Sequence, residues 1–480
     1  MRLMQSVFFA CLMYAVLCVP ARALDRALFV DNFEAPKIAA QFPLVGGTYQ
    51  LPVSSTATRL TWLLNELRST ETTTATEVNA NFDSGWLSQI SVQATIDFIA
   101  SVRASYPNAV VTDLIGWSPI RVSAVIDSPG SPPPSGFLTF GTRYGAAGKI
   151  ILFGVSGFGG SVQYPIDQGL SLVQAADKFA TLSTAAALLV GRIEANGQCS
   201  VVEARNATTP RATASIFKTW VLAGLGEAVA LGDIDSRTNQ ALLASEIAPG
   251  GLINGEPLGT NFPIRDLAIL MMGNSDNTAT DHLHELVGRS ALETMVVSSG
   301  HASPSGLQPF LNISEQFHLF YSFPYVDSVA YNNGNYAYRA NFLQTSIVPL
   351  GPLGTGPFFH ADLLTEASWK ASPIDICRAF SWLRSLPQGS EALAVVDAAL
   401  GAQAAQPGVR GDFDRVWYKG GSLASGANGL HVLTHAWMLE DAGNRPYVVV
   451  AMSNSVGGGI DEYVVQSVTG RILQLVSELP

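Results

Sequence analysis

Basic charge is in short supply. The 480 residues carry 27 lysines and arginines against 38 aspartates and glutamates, a net charge of −11. The phosphates of nucleic acid or of an anionic lipid surface would be repelled rather than neutralised, so neither is expected as a partner. No G-x-S-x-G elbow occurs, which argues against the α/β-hydrolase route to a nucleophilic serine. A phosphate-binding P-loop, a dinucleotide fingerprint and a C-x-x-C pair are also missing, and no cofactor is expected. Internal repeats and charge blocks are absent as well. Cysteine is limited to four positions, 11, 18, 199 and 377.

The beginning of the chain reads as a leader. Arg2, an apolar run from about Val7 to Val19 and then Ala21-Arg22-Ala23 form a secretory signal peptide over 1–23, with Leu24 as the expected mature start. The run falls short of the roughly 20 residues that a membrane anchor requires, and no later apolar run approaches that length. Leu17 stands where lipid attachment at Cys18 would want a small residue. The mature chain is therefore expected outside the cytoplasm, periplasmic or extracellular, with no membrane span. Cys199 and Cys377 remain after cleavage. An oxidising compartment permits a disulfide between them, but spacing along the chain says nothing about their distance in space, and two buried thiols are the expectation.

At this length two domains are expected, and an apolar content of 48% promises well-filled cores. Residues 57–70 and 91–104 have apolar positions three and four apart, as in Ile96, Ile99 and Val102, and read as amphipathic helices. Short β-rich runs follow at 109–117, 121–127, 136–144 and 149–156, with a proline-rich connection at 128–136. Helices followed by antiparallel strands imply a small α+β domain over 24–164. Its aromatic pairs Trp86/Phe98 and Phe137/Phe140 are expected in the core. A second domain over 165–480 opens with a helix near 177–184 and strands at 186–195 and 199–205. It closes with strands at 416–419, 429–441 and 445–454 and a terminal helix. Strands from both ends with helices between them imply one sheet closed by distant segments.

Within that second domain Ser215 and Lys218 lie one helical turn apart at the head of SIFKTWVLAGLGEAVALG. Ile216, Phe217, Trp220, Val221, Leu222 and Leu225 make the helix apolar on most of its circumference, so it is buried. A buried lysine loses hydration, favours its neutral amine and can accept a proton at neutral pH. The helix N-terminus adds backbone donors beside the serine. Ser275-Asp276-Asn277 follows 60 residues downstream between two helical segments, and VWYKGGS places Lys419 at an apparent strand end before Gly420, Gly421 and Ser422. Each piece alone is an ordinary cap or turn; the ordered set is rare.

S-x-x-K, S-D-N and K-G-G in that order resemble the serine β-lactamase and penicillin-binding protein superfamily. NSDNTATDHL is similar to class A β-lactamases. The longer spacing to the third element, with PFLNISEQF, ASWKASPIDICRAF and VWYKGGS, resembles the β-lactamase-related serine hydrolases of the clavulanic acid cluster type. In that group a cystatin-like or ketosteroid-isomerase-like (NTF2-like) domain precedes the hydrolase. The resemblance implies an antiparallel sheet flanked by helices in an α/β/α-type sandwich, plus an all-helical lobe meeting it at Ser215.

It also implies roles. Ser215 is the acyl-accepting nucleophile and Lys218 takes its proton. Ser275 relays a proton to the leaving group, and Asn277 holds Lys218 and a substrate amide. Lys419 supplies positive charge near Ser275, and the backbone N–H groups of Ser215 and Ser422, beside Gly420 and Gly421, form an oxyanion hole. A small β-lactam or a related ester is the expected substrate, with a penicilloyl-trapping sensor and a D,D-peptidase as alternatives. Two departures stand out. Gly420 replaces the threonine of K-T-G, leaving Ser422 as a substitute hydroxyl. The carboxylate that activates the deacylating water in class A enzymes should fall near Leu311, where the nearest acid is Glu315. Asn312 and Glu315 read as a capping box there. Asp281, His282, His284 and Glu285 resemble metal ligands in composition only, because histidines two apart on a helix diverge.

Overall fold

The computed structural model describes residues 44–45, 48–130, 135–157, 167–354, 356–406, 409–441 and 443–479. The expected signal peptide lies outside them. Two compact units emerge, the first from residues up to 157 together with 402–411, the second from 167–401 and 412–479.

In the first unit, helices α1 (Ser55–Arg68), α2 (Ala75–Asn81) and α3 (Val92–Ser105) precede strands β1 (Val110–Ser118), β2 (Arg121–Asp127), β3 (Gly136–Thr142) and β4 (Ile150–Gly157). The strands form an antiparallel sheet in sequential order. Leu60, Leu63, Leu64 and Leu67 fall on one face of α1, as their spacing requires, and are buried. Ser54, Thr74 and Ser91 cap the three helices through their side chains. Phe137 and Phe140 are buried. Trp86 and Phe98, expected in the core, are only half-buried: Trp86 leans on Phe82 at 5.5 Å and Phe98 on Phe153 at 4.9 Å. Residues 402–411, expected in the second domain, belong to this unit. Trp117 N–H donates to Ala402 O at 3.0 Å and Ala404 N–H to Ile115 O at 3.3 Å, so the segment covers the open edge of β1.

The second unit is built on a five-stranded antiparallel sheet. Helix α4 (Leu172–Ala180) leads into β5 (Ala187–Ile193) and β6 (Cys199–Arg205), and helix α5 (Lys218–Leu231) follows. A helical lobe includes α6 (Ile264–Gly273), α7 (Asn277–Val287) and α8 (Ile313–Tyr321). Helices α9 (Pro373–Arg384) and α10 (Glu391–Gly401) return the chain to β7 (Arg415–Ser425), β8 (Gly429–Glu440), β9 (Pro446–Asn454) and terminal helix α11 (Glu462–Ser477). Spatial order is β7-β8-β9-β5-β6, so distant segments close one sheet and β7 forms its edge. Contrary to the expectation that no later apolar run approaches membrane length, the segment Ala214–Leu231 is long and apolar enough to cross one; here it is a core helix, 67% buried inside the protein.

Three local expectations change. The chain does not enter α5 directly: Ala214–Phe217 is a one-turn 3-10 helix, and α5 begins at Lys218. Strand β7 does not end at Lys419 but continues through both glycines to Ser425, because pairing with β8 from Lys419↔Ala436 to Ser422↔Leu433 outweighs the poor strand preference of glycine. Cys199 and Cys377, expected as thiols, form a disulfide with a Cα–Cα distance of 6.3 Å, tying β6 to α9.

Candidate active site

Ser215 occupies the second position of the 3-10 turn. Ala214 before it has φ 44°, a left-handed backbone that costs an L-residue about 1 kcal/mol. The turn is clamped on both sides. Thr213 N–H donates to Trp369 O at 2.9 Å, and Thr434 Oγ1 of β8 donates to Thr213 O at 2.8 Å. Strand β7 runs alongside so closely that a Cβ on Gly421 would lie 2.6 Å from Ser215 N and 2.8 Å from Thr213 O. Only glycine allows that approach, and it brings the Gly421–Ser422 backbone next to the Ser215 amide.

Lys218 is 0% exposed. Burial pushes its pKa down to about 7, opposed by the charges of Asp276 and Asp281. Its Nζ donates to Ser275 O at 2.7 Å and Asn277 Oδ1 at 2.7 Å and lies 3.2 Å from Ser275 Oγ. The first two partners are pure acceptors, so they consume both hydrogens of a neutral amine and leave its lone pair unassigned.

Ser275 is a second non-glycine residue in left-handed conformation, with φ 57°. Asp276 holds it there. The carboxylate caps α7 by accepting from Ala279 N–H at 2.8 Å and accepts from Leu252 N–H at 2.6 Å and Ile253 N–H at 3.1 Å. Asn277 Nδ2 donates to Pro249 O at 2.5 Å, which fixes the amide flip and turns Oδ1 to Lys218. Burial raises the Asp276 pKa against these amide bonds.

From the strand side, buried Lys419 donates to Ser275 Oγ at 3.0 Å and Gly420 O at 2.6 Å. Its pKa falls well below the ordinary lysine value, first through burial and second through repulsion by Lys218. The Ser275 hydroxyl therefore lies between two amines. Ser422 is exposed at the same strand edge. Sequence reading missed the neighbours that shape this edge. The Tyr418 hydroxyl donates to His435 Nδ1 at 2.8 Å, and a Cβ on Gly420 would lie 2.1 Å from that hydroxyl. The phenol thus occupies the space that the threonine side chain of K-T-G would need. His435 is held down at about 4, by burial first and then by Lys419, and stays neutral. Only the register Gly420↔His435 reveals this pair, and no motif encodes register.

Glu315 is committed elsewhere. One oxygen accepts from Arg289 at 2.6 Å, and the other accepts from Asn312 N–H at 2.9 Å in a complete capping box. No acid occurs in the sequence between Glu293 and Glu315, so that loop offers no carboxylate. Asp281, pushed up to about 7 by burial, instead accepts from Ile313 and Ser314 N–H at 2.7 and 3.1 Å, pinning α8 to α7. His282 and His284 face different partners: the first meets Thr278 O and Leu243 N–H, the second Phe310 O and Glu285. A cavity of about 640 Å³ lies between the 303–311 loop and Trp369 and Lys370, and none of Ser215, Lys218, Ser275, Asn277 or Lys419 lines it.

Residues 196–321 match the family model described as the β-lactamase enzyme family. Among solved structures it is similar to a β-lactamase from Chitinophaga pinensis, at 15% identity over 64% of this chain and 97% of that one, with a TM-score of 0.44. It is similar also to a class A β-lactamase representative from Bacteroides cellulosilyticus, at 14% identity, 65% and 98% coverage and a TM-score of 0.42. The structure of PBP-A shares 14% identity over 64% of this chain and 96% of that one, with a TM-score of 0.41. Comparison with curated protein sequences returned no match.

Proposed function

We propose that the chain is an exported serine hydrolase that opens a β-lactam through an acyl-enzyme on Ser215. One observation carries the reading: a fully buried amine, Lys218 Nζ, has its hydrogens engaged by Ser275 O and Asn277 Oδ1 one helical turn from a clamped serine. The lone pair of Lys218 accepts the Ser215 proton as Oγ bonds to the lactam carbonyl carbon. The carbonyl oxygen gathers negative charge against the Ser215 and Ser422 amides; losing one such donor typically costs about 100-fold. The C–N bond then breaks, and the ring nitrogen takes a proton from the Ser275 hydroxyl, which Lys218 replenishes. Lys419 Nζ, donating to Ser275 Oγ at 3.0 Å, orients that hydroxyl, and a substrate carboxylate arriving beside it would favour its charged form.

Hydrolysis of the acyl-enzyme is the slow half. Glu315, the acid nearest to where the class A carboxylate is expected along the sequence, is tied to Arg289 and Asn312, so a long-lived adduct is expected, and an ester on a related bicyclic compound is the second substrate. The Cys199–Cys377 disulfide supports export. The helix-then-antiparallel-strand order of the first unit supports a cystatin-like or NTF2-like domain ahead of the hydrolase.

Intact-protein mass spectrometry after mixing with benzylpenicillin tests the proposal. One equivalent of added mass on the wild type and none on Ser215→Ala is the expected result. Equal labelling of both proteins, or of neither, refutes it.

A further inference from the structure

The cavity of about 640 Å³ in the second unit takes no part in the chemistry assigned to Ser215. It opens beside the 303–311 loop, and the helices Tyr325–Asn333 and Tyr336–Phe342 supply part of its wall. The chain carries 38 acidic and 27 basic residues, yet here the balance is inverted. Arg339 and Lys370 line the cavity and, among the described residues, no aspartate or glutamate does. Neither cation forms an ion pair among the described residues. Each donates instead to a backbone carbonyl, Arg339 Nη1 to Ser305 O at 2.9 Å and Lys370 Nζ to Glu366 O at 2.6 Å. The acids whose charge they feel have other partners: Glu293 accepts from Phe310 N–H at 3.0 Å and from the Tyr336 hydroxyl at 2.9 Å, and Glu366 from the Tyr325 hydroxyl at 3.3 Å. Burial lowers the pKa of both cations, opposed at Arg339 by Tyr331 and Glu293 and at Lys370 by Glu366. Two buried hydroxyls belong to the same lining. Tyr331 is 5% exposed and Ser368 7%, and neither hydroxyl has a hydrogen-bond partner within the protein; Arg339 Nε lacks one too. Each such atom loses hydration without a compensating bond.

We infer that this cavity is a second binding site, separate from Ser215, for a small hydroxyl-rich molecule carrying one oxyanion, a sugar acid or a sugar phosphate. The oxyanion sits at Arg339 and the Tyr331 and Ser368 hydroxyls, with Lys370 adding positive charge. A carboxylate or phosphate is the fitting group because its oxygens accept, and the unpartnered guanidinium N–H and the two hydroxyls can all donate. Burial raises the Tyr331 pKa and the charge of Arg339 opposes it, so the hydroxyl and the guanidinium lie within electrostatic reach of each other. The rest of the molecule is read from the neutral lining. Gln308 Nε2 and Gln316 Nε2 donate to Glu293 O and Ala367 O at 3.0 and 2.6 Å, which leaves their Oε1 atoms as acceptors beside the amides of Asn332 and Asn333. Amides both donate and accept, as the hydroxyls of a sugar do, whereas an apolar occupant would leave them unpaired. The volume lies within the range of about 300–1,000 Å³ usual for small-molecule sites.

Isothermal titration calorimetry with D-glucuronate and with D-glucose 6-phosphate tests the site, against D-glucose as the uncharged control. At least one of the two anions is expected to bind one equivalent with a Kd of about 1 mM or tighter, and glucose to bind at least about tenfold more weakly. Which anion binds tells the carboxylate from the phosphate. Arg339→Gln should weaken that anion at least about tenfold. Tyr331→Phe keeps its ring in the cluster with Leu311, Leu319, Leu343 and Ile347 and loses only the hydroxyl, so about fivefold weaker binding is expected. If Arg339→Gln does not fold, Tyr331→Phe decides. Ser215→Ala should bind as the wild type does, which separates this site from the fate of the acylation proposal. Failure of both anions to bind, glucose binding as tightly, an unchanged affinity in Tyr331→Phe, or loss of binding in Ser215→Ala overturns the inference.

Discussion

A lysine serves as a base only while it lacks a proton, and at position 218 burial makes the neutral amine accessible near pH 7. Replacing Lys218 with methionine keeps the bulk and removes the lone pair. Acylation by benzylpenicillin is expected to slow by about 1000-fold or more, followed as adduct mass against time; a loss under tenfold would assign the proton to another group. Glu315 provides the contrast. Its carboxylate bonds Arg289 at 2.6 Å and caps α8, so Glu315→Gln should lower stability by about 1–3 kcal/mol. Decay of a preformed acyl-enzyme should stay within about twofold of wild type, and a hundredfold slower decay would make Glu315 the deacylating base after all. At this scale much was legible. Ser215, Lys218, Ser275, Asn277 and Lys419 were readable because their types and order are rare together. Ala214 was not, because a left-handed alanine has no signature in composition. Asp276 was read only as part of a tripeptide, whereas its three amide bonds hold the Ser275–Asn277 turn in place.

Helices and strands were recovered where side-chain period alone sets them. The leucines of α1 and the alternating runs of the first sheet are examples. Misreadings came where partners decide. Two glycines after Lys419 look like a strand end, yet β8 pairs with them, and their smallness serves close approach on two sides. The sides differ in kind. A methyl group at 421 meets backbone atoms of the Thr213–Ser215 turn, whereas one at 420 meets the tip of Tyr418. Gly421→Ala is therefore expected to reduce acylation at least tenfold by shifting Ser215. Gly420→Ala should chiefly lower the melting temperature by breaking the Tyr418–His435 bond. Thermal denaturation and adduct formation measured on both variants check this, and an effect on stability alone at 421 would contradict the packing described.

For the chain as a whole, the order of elements announced a first α+β unit and a closed sheet in the second, because both follow from local patterns. Long-range connections were hidden. Cysteines 178 residues apart give no hint of their distance in space, and residues 402–411 carry no mark of the unit they join. A disulfide closing a loop of that length restricts the unfolded chain and, by loop-closure entropy, stabilises by about 5 kcal/mol. The Cys199→Ser, Cys377→Ser double variant is expected to show a loss of that order in denaturant unfolding of the second unit, and an unchanged midpoint would show that the bond constrains nothing.

The base assignment is exposed most directly by the pH dependence of Ser215 acylation between pH 5 and 9. Burial lowers the Lys218 pKa to about 7 despite Asp276 and Asp281, so the amine is protonated below that value and free above it. The rate constant should rise about tenfold per pH unit below 7 and level off above it. A rate that is flat across this range, or that falls as pH rises, would contradict proton acceptance by Lys218.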